Sequence, residues 1–406
     1  MDLAGEGLDA LDALALDAVR DAAVDALAEA GGRVRSMRRR EVHHRPGDEV
    51  IVGFDARVEW ADGREREELV VVRARLGDDA GGVQVWCYPA DPVLVGLADA
   101  VMPAEVAAFL GLPAETVQLT VRALRPCRRA VIEVRSPGVD LYLKVVAPGE
   151  VARVVDRHRA FAAGGLPVAS IVTVDEGRGW VVMAALQGVT LDERLDQPGA
   201  ALPGAADLVE IVERIAAVEL VDADLVPASA ELVGRHALVI AAAAPALGQR
   251  AAVIASAVER AELHLRARRA TVHGDLHAGQ LLVDEQGRIA GVLDLDDSGH
   301  GDVLDEYGRL LAHLIASAVL HDPSGDHPLT GSRRWQFVLD LADAWADNGG
   351  GDGLTPRVAA SLLGWVTAPW RAQDAGWPER VEALLAVTED VLALGAAGAV
   401  RSRRSL

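Results

Sequence analysis

The chain has 406 residues, half of them apolar and a quarter charged, which is the make-up of an ordinary globular protein with room for two or three domains. A net charge of −21 argues against nucleic acid or an anionic membrane surface as the main partner, and Cys87 and Cys127 alone make neither a disulfide framework nor a zinc site. The start, MDLAGEGLDALDA, lacks a basic region followed by an apolar one, and the most apolar stretch (237–249) is too short to span a bilayer, so no membrane association and a cytoplasmic location are expected.

Residues 7–30, rich in Ala and Leu and closed by Gly31-Gly32, predict a helix. The basic run RSMRRREVHHR (35–45) reads either as a solvated strand edge or as an anion site. EVIVGFDARVEW, REELVVVRARL and VQVWCY, separated by ADG and GDDAGG, predict antiparallel strands with turns, and PAEVAAFLGL (103–112) predicts a helix. Residues 1–115 therefore form an expected α+β domain, with no catalytic constellation in it. From 116 to 190 the strands TVQLTVRAL, AVIEV and VDLYLKVV are joined at RPCRR and RSPG. A helix over about 148–163 and the strands SIVTVDEG and GWVVMAAL follow, giving a small sheet with one helix inserted. Residues 191–406 are mainly helical. They are interrupted at 270–297 by ATVHGDLHAGQLLVDEQGRIAGVLDLDD, where two short apolar segments flank a turn at DEQG; NGGGDG (348–353) reads as a further turn.

Lys144 is the only lysine, against 39 arginines. A bias towards Arg codons could leave one lysine behind by chance. Its place in the apolar strand LYLKVV argues otherwise, because a charge in a buried strand needs a partner, and an ammonium and a guanidinium are not interchangeable. The 270–297 segment supplies the chemistry. Gly274 lets the backbone turn sharply and project the Asp275 carboxylate, Gln280 offers a carboxamide, and Asp294 ends the apolar strand IAGVL. Phosphoryl transfer requires one carboxylate to receive or orient the acceptor hydroxyl and two further groups to hold Mg²⁺ on the nucleotide phosphates. An upstream strand lysine pairs with the α/β-phosphates, and Lys144 has that place and order. His273 and His277 are spaced as in metalloprotease helices, but HGDLH contains Gly and lacks the glutamate after the first His, so zinc is not expected.

VHGDLHAGQLLVD followed by GVLDLDDSGHGDVLDEYGRLLAHL resembles the catalytic-loop and metal motifs of the aminoglycoside-phosphotransferase-like kinases, over about 117–390. The resemblance implies the α+β, bilobal protein-kinase-like fold, ATP and Mg²⁺ as cofactors, and a small-molecule hydroxyl acceptor. It implies Asp275 as catalytic base, Gln280 and Asp294 as metal ligands with Asp296 in reserve, and Asp302 as an acid that steadies the loop. His273 is expected to bond the loop backbone. WVVMAALQGVTLDERL (180–195) resembles the hinge that binds adenine through backbone groups near Ala184–Leu186. Gln280, where the family usually has Asn, resembles the maltokinase and glucosamine-kinase branch, whose extra N-terminal domain suits 1–115. The sequence departs from the family at three points, one being that LDLDD offers three acids, of which Asp294 directly follows the apolar strand. No Gly-rich phosphate loop joins the first two strands, so Arg125, Arg128 and Arg129 are candidates to face the phosphates. The helix acid that pairs with the lysine has no clear match; Asp156 and Glu150 are candidates, Asp156 being the better placed. GDVLDEYG (301–308) is expected to face the catalytic loop and serve structure through Asp302, with Asp305 and Glu306 further out; for a sugar, amino sugar or aminoglycoside-like acceptor, Asp374, Glu379 and Trp370 are the first candidates for contact. A pseudokinase that binds nucleotide or acceptor without transfer is the alternative, as is a scaffold acting through 1–115.

Overall fold

A computed structural model describes residues 13–45, 48–75, 82–221, 223–262, 267–321, 333–345 and 351–404. The expected first helix runs over Ala13–Glu29 (α1). Its start from residue 7, most of the GDDAGG turn and residues 348–350 of NGGGDG lie outside the described residues; 351–353, expected as part of a turn, instead open a helix. By contacts the chain divides into two units: Met1–Arg153 with Ile171–Ala185 and Trp370–Ala375, and Val154–Ser170 with Leu186–Pro369 and Gly376–Leu406.

In the first unit, β1 (Gly32–Arg45), β2 (Glu49–Trp60), β3 (Glu65–Arg75) and β4 (Val83–Cys87) form an antiparallel sheet in that order. The basic run lies on β1, an edge strand. Its arginines meet acids on β2: Arg38 and Arg40 bond Asp55 at 2.6 and 3.1 Å, and Arg35 bonds Glu59. Charged side chains on an exposed edge also discourage pairing with another chain. A short helix α2 (Leu97–Ala100) precedes α3 (Pro103–Leu110), which has Pro103 at its first position and ends on Gly111 in the left-handed conformation.

The second sheet of this unit is antiparallel in the order β5 (Gln118–Arg125), β6 (Arg129–Ser136), β7 (Val139–Val146), β9 (Trp180–Ala184), β8 (Ile171–Asp175). Strand alternation puts Ala130, Ile132, Val134, Leu143, Val145, Trp180 and Val182 on one face. That face packs with Leu94, Leu97, Ala100, Val106 and Ala107 from α2, α3 and their approach, forming one core. Lys144 falls on the opposite face, with Val131 and Val181 as register partners.

The second unit is mostly helical. It takes most of α4 (Val151–Ala163) and holds α5 (Leu191–Leu195), α6 (Ala205–Ala216), α7 (Ser229–Ala243) and α8 (Gly248–Glu262). α9 (Val303–His321), α10 (Arg333–Trp345), α11 (Gly351–Trp365) and α13 (Trp377–Arg404, interrupted at Gly395) complete its helices; the short α12 (Ala368–Arg371) falls across the division. Two small antiparallel sheets sit among them: β10 (Val189–Thr190), β12 (Leu281–Val283), β13 (Ile289–Val292), and β11 (Arg269–Val272) paired with β14 (Gly299–Asp302). α9 runs through the middle of this unit, burying Leu310, Leu311, Leu314 and Ile315. Each such side chain contributes about 1.5–3 kcal/mol by leaving water. Among the described residues no helix is long and apolar enough to cross a membrane.

Candidate active site

The loop after β11 is held by its own backbone. Gly274 has φ +87°, and a Cβ there would lie 2.1 Å from the carbonyl oxygen of Asp297, so glycine is required by both conformation and space. The backbone N–H groups of His273 and Gly274 donate to the two carboxylate oxygens of Glu306, at 2.9 and 3.1 Å. Arg309 adds a 2.7 Å bond to the same carboxylate. Glu306 is 1 % exposed, so these charge-assisted bonds lie in a dry setting. The reading that left Asp305 and Glu306 further out is corrected here: Glu306 underlies the loop, and Asp305, also buried, accepts from the Ser229 N–H at 3.0 Å. His273 is buried and bonds the Leu293 carbonyl through Nε2 at 2.8 Å. A carbonyl only accepts, so the ring proton sits on Nε2 and leaves Nδ1 facing the Asp275 N–H.

Asp275 projects from this loop into solvent. Desolvation by the surrounding protein raises its carboxyl above the ordinary aspartate value. His277 and His273 oppose that shift, while Asp297 and Asp294 add to it. Asp302, at the end of β14, is buried; it accepts from the Arg268 and Leu304 N–H groups at 3.0 and 3.2 Å and pairs with the buried Arg357, whose Nε lies 3.0 Å away. These bonds join β14 to α9 and α11.

Gln280 and Asp294 come together across the base of the loop. The Leu293 N–H donates to the Gln280 carbonyl at 2.8 Å, and Gln280 Nε2 lies 3.4 Å from Asp294 Oδ2 and 3.2 Å from His277 Nε2. Asp294 has φ +56° and ψ +65°, a left-handed conformation that costs a non-glycine residue about 1–3 kcal/mol and gathers at functional sites. Asp294 is half-buried and Asp296 buried; it is Asp294 that meets Gln280. A carboxylate and a carboxamide are hard oxygen donors, which suits Mg²⁺, an ion that keeps several waters or phosphate oxygens and needs few protein ligands. Among the described residues no group of three or more His, Cys, Asp or Glu gathers as a metal site.

Behind this pair is a wall of rings that the sequence reading missed. The His277 and His313 rings stack at 4.6 Å, and Trp365 meets both edge-on, at 4.8 Å from His313 and 6.1 Å from His277. Desolvation pushes His313 down to about 3, and His277 is lowered mainly for the same reason. Next to them, burial would raise Asp192, but hydrogen bonds and charge from Arg334 win and hold it below its ordinary value. The Arg334–Asp192 bond is 2.7 Å, and Ser317 joins both. Only the position of His313 ten residues beyond Val303 on an apolar helix hinted at burial.

In the first unit, Lys144 is 3 % exposed in the middle of the five-stranded sheet. The β5–β6 turn is a tight hairpin closed by the Arg128 N–H on the Arg125 carbonyl at 3.0 Å. Its Cys127 N–H donates to buried Asp91 at 2.8 Å, and Asp91 also holds Val93 and Leu94. Arg128 is exposed, and Arg125 and Arg129 are half-buried. Ala184 ends β9, and the division of the chain falls just before Leu186. Asp156, on α4, is 74 % exposed and lies 3.7 Å from Arg159; Glu150 pairs with Arg153. Trp370 is 7 % exposed and Asp374 half-buried, both within the first unit, whereas Glu379 is exposed in the first turn of α13 in the second.

The profile of the phosphotransferase enzyme family, APH, matches residues 128–345. No curated protein sequence matches the chain. Solved structures that resemble it include aminoglycoside phosphotransferase APH(4)-Ia in a ternary complex with ADP and hygromycin B, at 16% identity over 71% of this chain and 98% of that one, with a TM-score of 0.49. A choline/ethanolamine kinase family protein from Mesorhizobium loti matches at 15% identity over 77% and 100%, with a TM-score of 0.49. A macrolide 2′-phosphotransferase from Brachybacterium faecium matches at 20% identity over 71% and 98%, with a TM-score of 0.41.

Proposed function

Since the chain belongs to the phosphotransferase enzyme family, and with it to the small-molecule kinases with the protein-kinase-like fold, we propose that it transfers the γ-phosphoryl group of ATP to a hydroxyl of a sugar, amino sugar or aminoglycoside-like acceptor. The observation that carries this reading is the pairing of a solvent-open Asp275, on a loop tied down by Glu306, with the adjacent Gln280 and Asp294 in the same unit. Asp275 takes the proton of the acceptor hydroxyl. Its carboxyl, raised mainly by desolvation, holds a proton more readily than an ordinary aspartate, which suits a base. His273, Glu306 and Asp302 keep the loop from yielding, so the carboxylate is positioned before the acceptor arrives. Gln280 and Asp294 would hold Mg²⁺, which when bound neutralises charge on the transferring phosphoryl group. Lys144 holds the α/β-phosphates, Arg128 and Arg129 face them from the β5–β6 turn, and backbone groups near Ala184–Leu186 receive adenine.

A turnover screen with ATP and Mg²⁺ across sugars, amino sugars, aminoglycosides, choline-type alcohols and amino-acid hydroxyls tests the reading. Turnover on a sugar or aminoglycoside supports it. Turnover only on a head-group alcohol or an amino-acid hydroxyl overturns the acceptor class. A nucleotide-dependent thermal shift with no turnover on any acceptor overturns catalysis. For the acceptor contacts, Asp374→Ala raises KM for the acceptor and leaves KM for ATP and Tm unchanged; an effect on stability alone moves the pocket away from Asp374, Glu379 and Trp370.

A further inference from the structure

The Gln280 carboxamide stands between two partners that make opposite demands on it. The backbone N–H of Gly279 donates to His277 Nδ1 at 3.1 Å. A ring nitrogen that accepts a hydrogen bond carries no proton, so the imidazole is neutral and its proton is on Nε2. That Nε2–H is a donor, and the amide end of Gln280 faces it at 3.2 Å. With the amide nitrogen there, two donors confront each other. Turning the amide by 180° places Oε1 against Nε2–H and makes a proper hydrogen bond. The same amide position lies 3.4 Å from Asp294 Oδ2, where a carboxylate favours the NH₂ end. Protons alone cannot satisfy both partners. A cation beside Asp294 reverses the carboxylate's demand, because two oxygens then converge on one positive charge, and the oxygen-inward orientation suits His277 and the ion together.

We propose that His277 is a positioning residue that turns the Gln280 carboxamide oxygen towards Asp294, so that the pair presents two oxygens to a divalent cation. This rests on the reading of Gln280 and Asp294 as the metal ligands of the kinase. Neighbouring rings hold the imidazole in place, His313 stacking on it at 4.6 Å and Trp365 meeting it edge-on at 6.1 Å. From below, Gly279 approaches so closely that an added Cβ would lie 2.9 Å from His277 Cε1. The extra methylene of Gln over Asn gives the amide the reach to touch both His277 and Asp294.

The test is a Mn²⁺ titration in the presence of ADP, read by electron paramagnetic resonance. It compares wild type with His277→Phe, Gln280→Glu, the double variant and Asp294→Ala. His277→Phe keeps an aromatic ring against His313 and Trp365 but has no ring nitrogen. Loss of a group that orients a metal ligand weakens metal affinity by about 10–100-fold, and the low end of that range, about tenfold, is expected here. A carboxylate at 280 presents oxygen whichever way it turns, so in the Gln280→Glu background His277→Phe has no further effect. Equal losses in both backgrounds mean a packing role and overturn the proposal. Unchanged affinity in His277→Phe, with Asp294→Ala abolishing binding, overturns the role of His277 alone and leaves the metal site standing. Unchanged affinity in Asp294→Ala overturns the metal-site reading, and the proposal with it. Should His277→Phe fail to fold, ¹⁵N NMR of the wild type decides: the Nε2–H tautomer of His277 supports the proposal, and the Nδ1–H tautomer overturns it.

Discussion

Replacing Asp275 by Asn exchanges the outward carboxylate of the 273–280 loop for an amide of the same shape that takes no proton. Because the side chain is open to solvent and the loop is held by Glu306 and His273, the fold should survive. Turnover should fall by about 10²–10⁴-fold, the usual span for a positioned base. Steady-state kinetics with a far-UV circular dichroism control checks this, and retention of more than roughly a tenth of wild-type turnover rules Asp275 out as the base. Lys144 is the second test at this scale. It is the single lysine and is buried in the middle of a sheet between Val131 and Val181. A guanidinium is longer and planar, so Lys144→Arg should lower kcat nearly as far as Lys144→Ala. An active Lys144→Arg variant would reduce the lone lysine to codon bias.

At the scale of elements, the 273–280 loop belongs as much to α9 as to β11. The carboxylate of Glu306 takes two consecutive loop N–H groups, one on each oxygen. Glu306→Gln leaves only one accepting oxygen, turns an NH₂ towards a donor, and strips Arg309 of its ion pair. An unsatisfied buried donor costs about 1–3 kcal/mol. In a chain of 406 residues that lowers Tm by roughly 1–4 °C. Calorimetry with parallel kinetics should show Tm and kcat falling together, and an unchanged Tm would mean the loop is held elsewhere. The sequence placed α9 in the mainly helical part of the chain, yet it could not show that Asp305 and Glu306 face inward. In a sequence, an acid beside apolar residues looks the same whether it is solvated or bonded to a distant loop. The basic run on β1 shows the opposite case. Both readings of it were open until the β2 register put Asp55 and Glu59 opposite the arginines.

For the molecule as a whole, the buried histidine wall predicts how stability responds to acid. His313 is pushed down to about 3 by burial, whereas in the unfolded chain it titrates near 6.5. Between those values the unfolded state binds the extra proton and the native state does not. Stability from this group is therefore fully present above about 6.5 and is lost progressively as pH falls towards 3. His277, lowered in the same way, adds to the slope. Compared with wild type, His313→Phe should lose less stability between pH 6.5 and pH 4, measured by urea unfolding at each pH. Equal slopes in the two proteins would mean that His313 titrates normally in the fold.

The sequence alone determined what depends on near neighbours in the chain. A continuous apolar run placed Lys144 in a buried strand, glycine punctuation marked the turns, and the order of Lys144, Asp275, Gln280 and Asp294 pointed to phosphoryl transfer, because each signal spans only a few residues. The tertiary structure decided which surfaces meet. His273 finds Glu306 at a separation of 33 residues, and Arg357 finds Asp302 at 55. Leu94 to Ala107, which the sequence assigned to a separate domain, share a core with the five-stranded sheet, and Trp370–Ala375 group with the first unit. Hydrophobic period reports that a face is buried but not what buries it, and a hydrogen bond between residues far apart in the chain leaves no local pattern in the sequence.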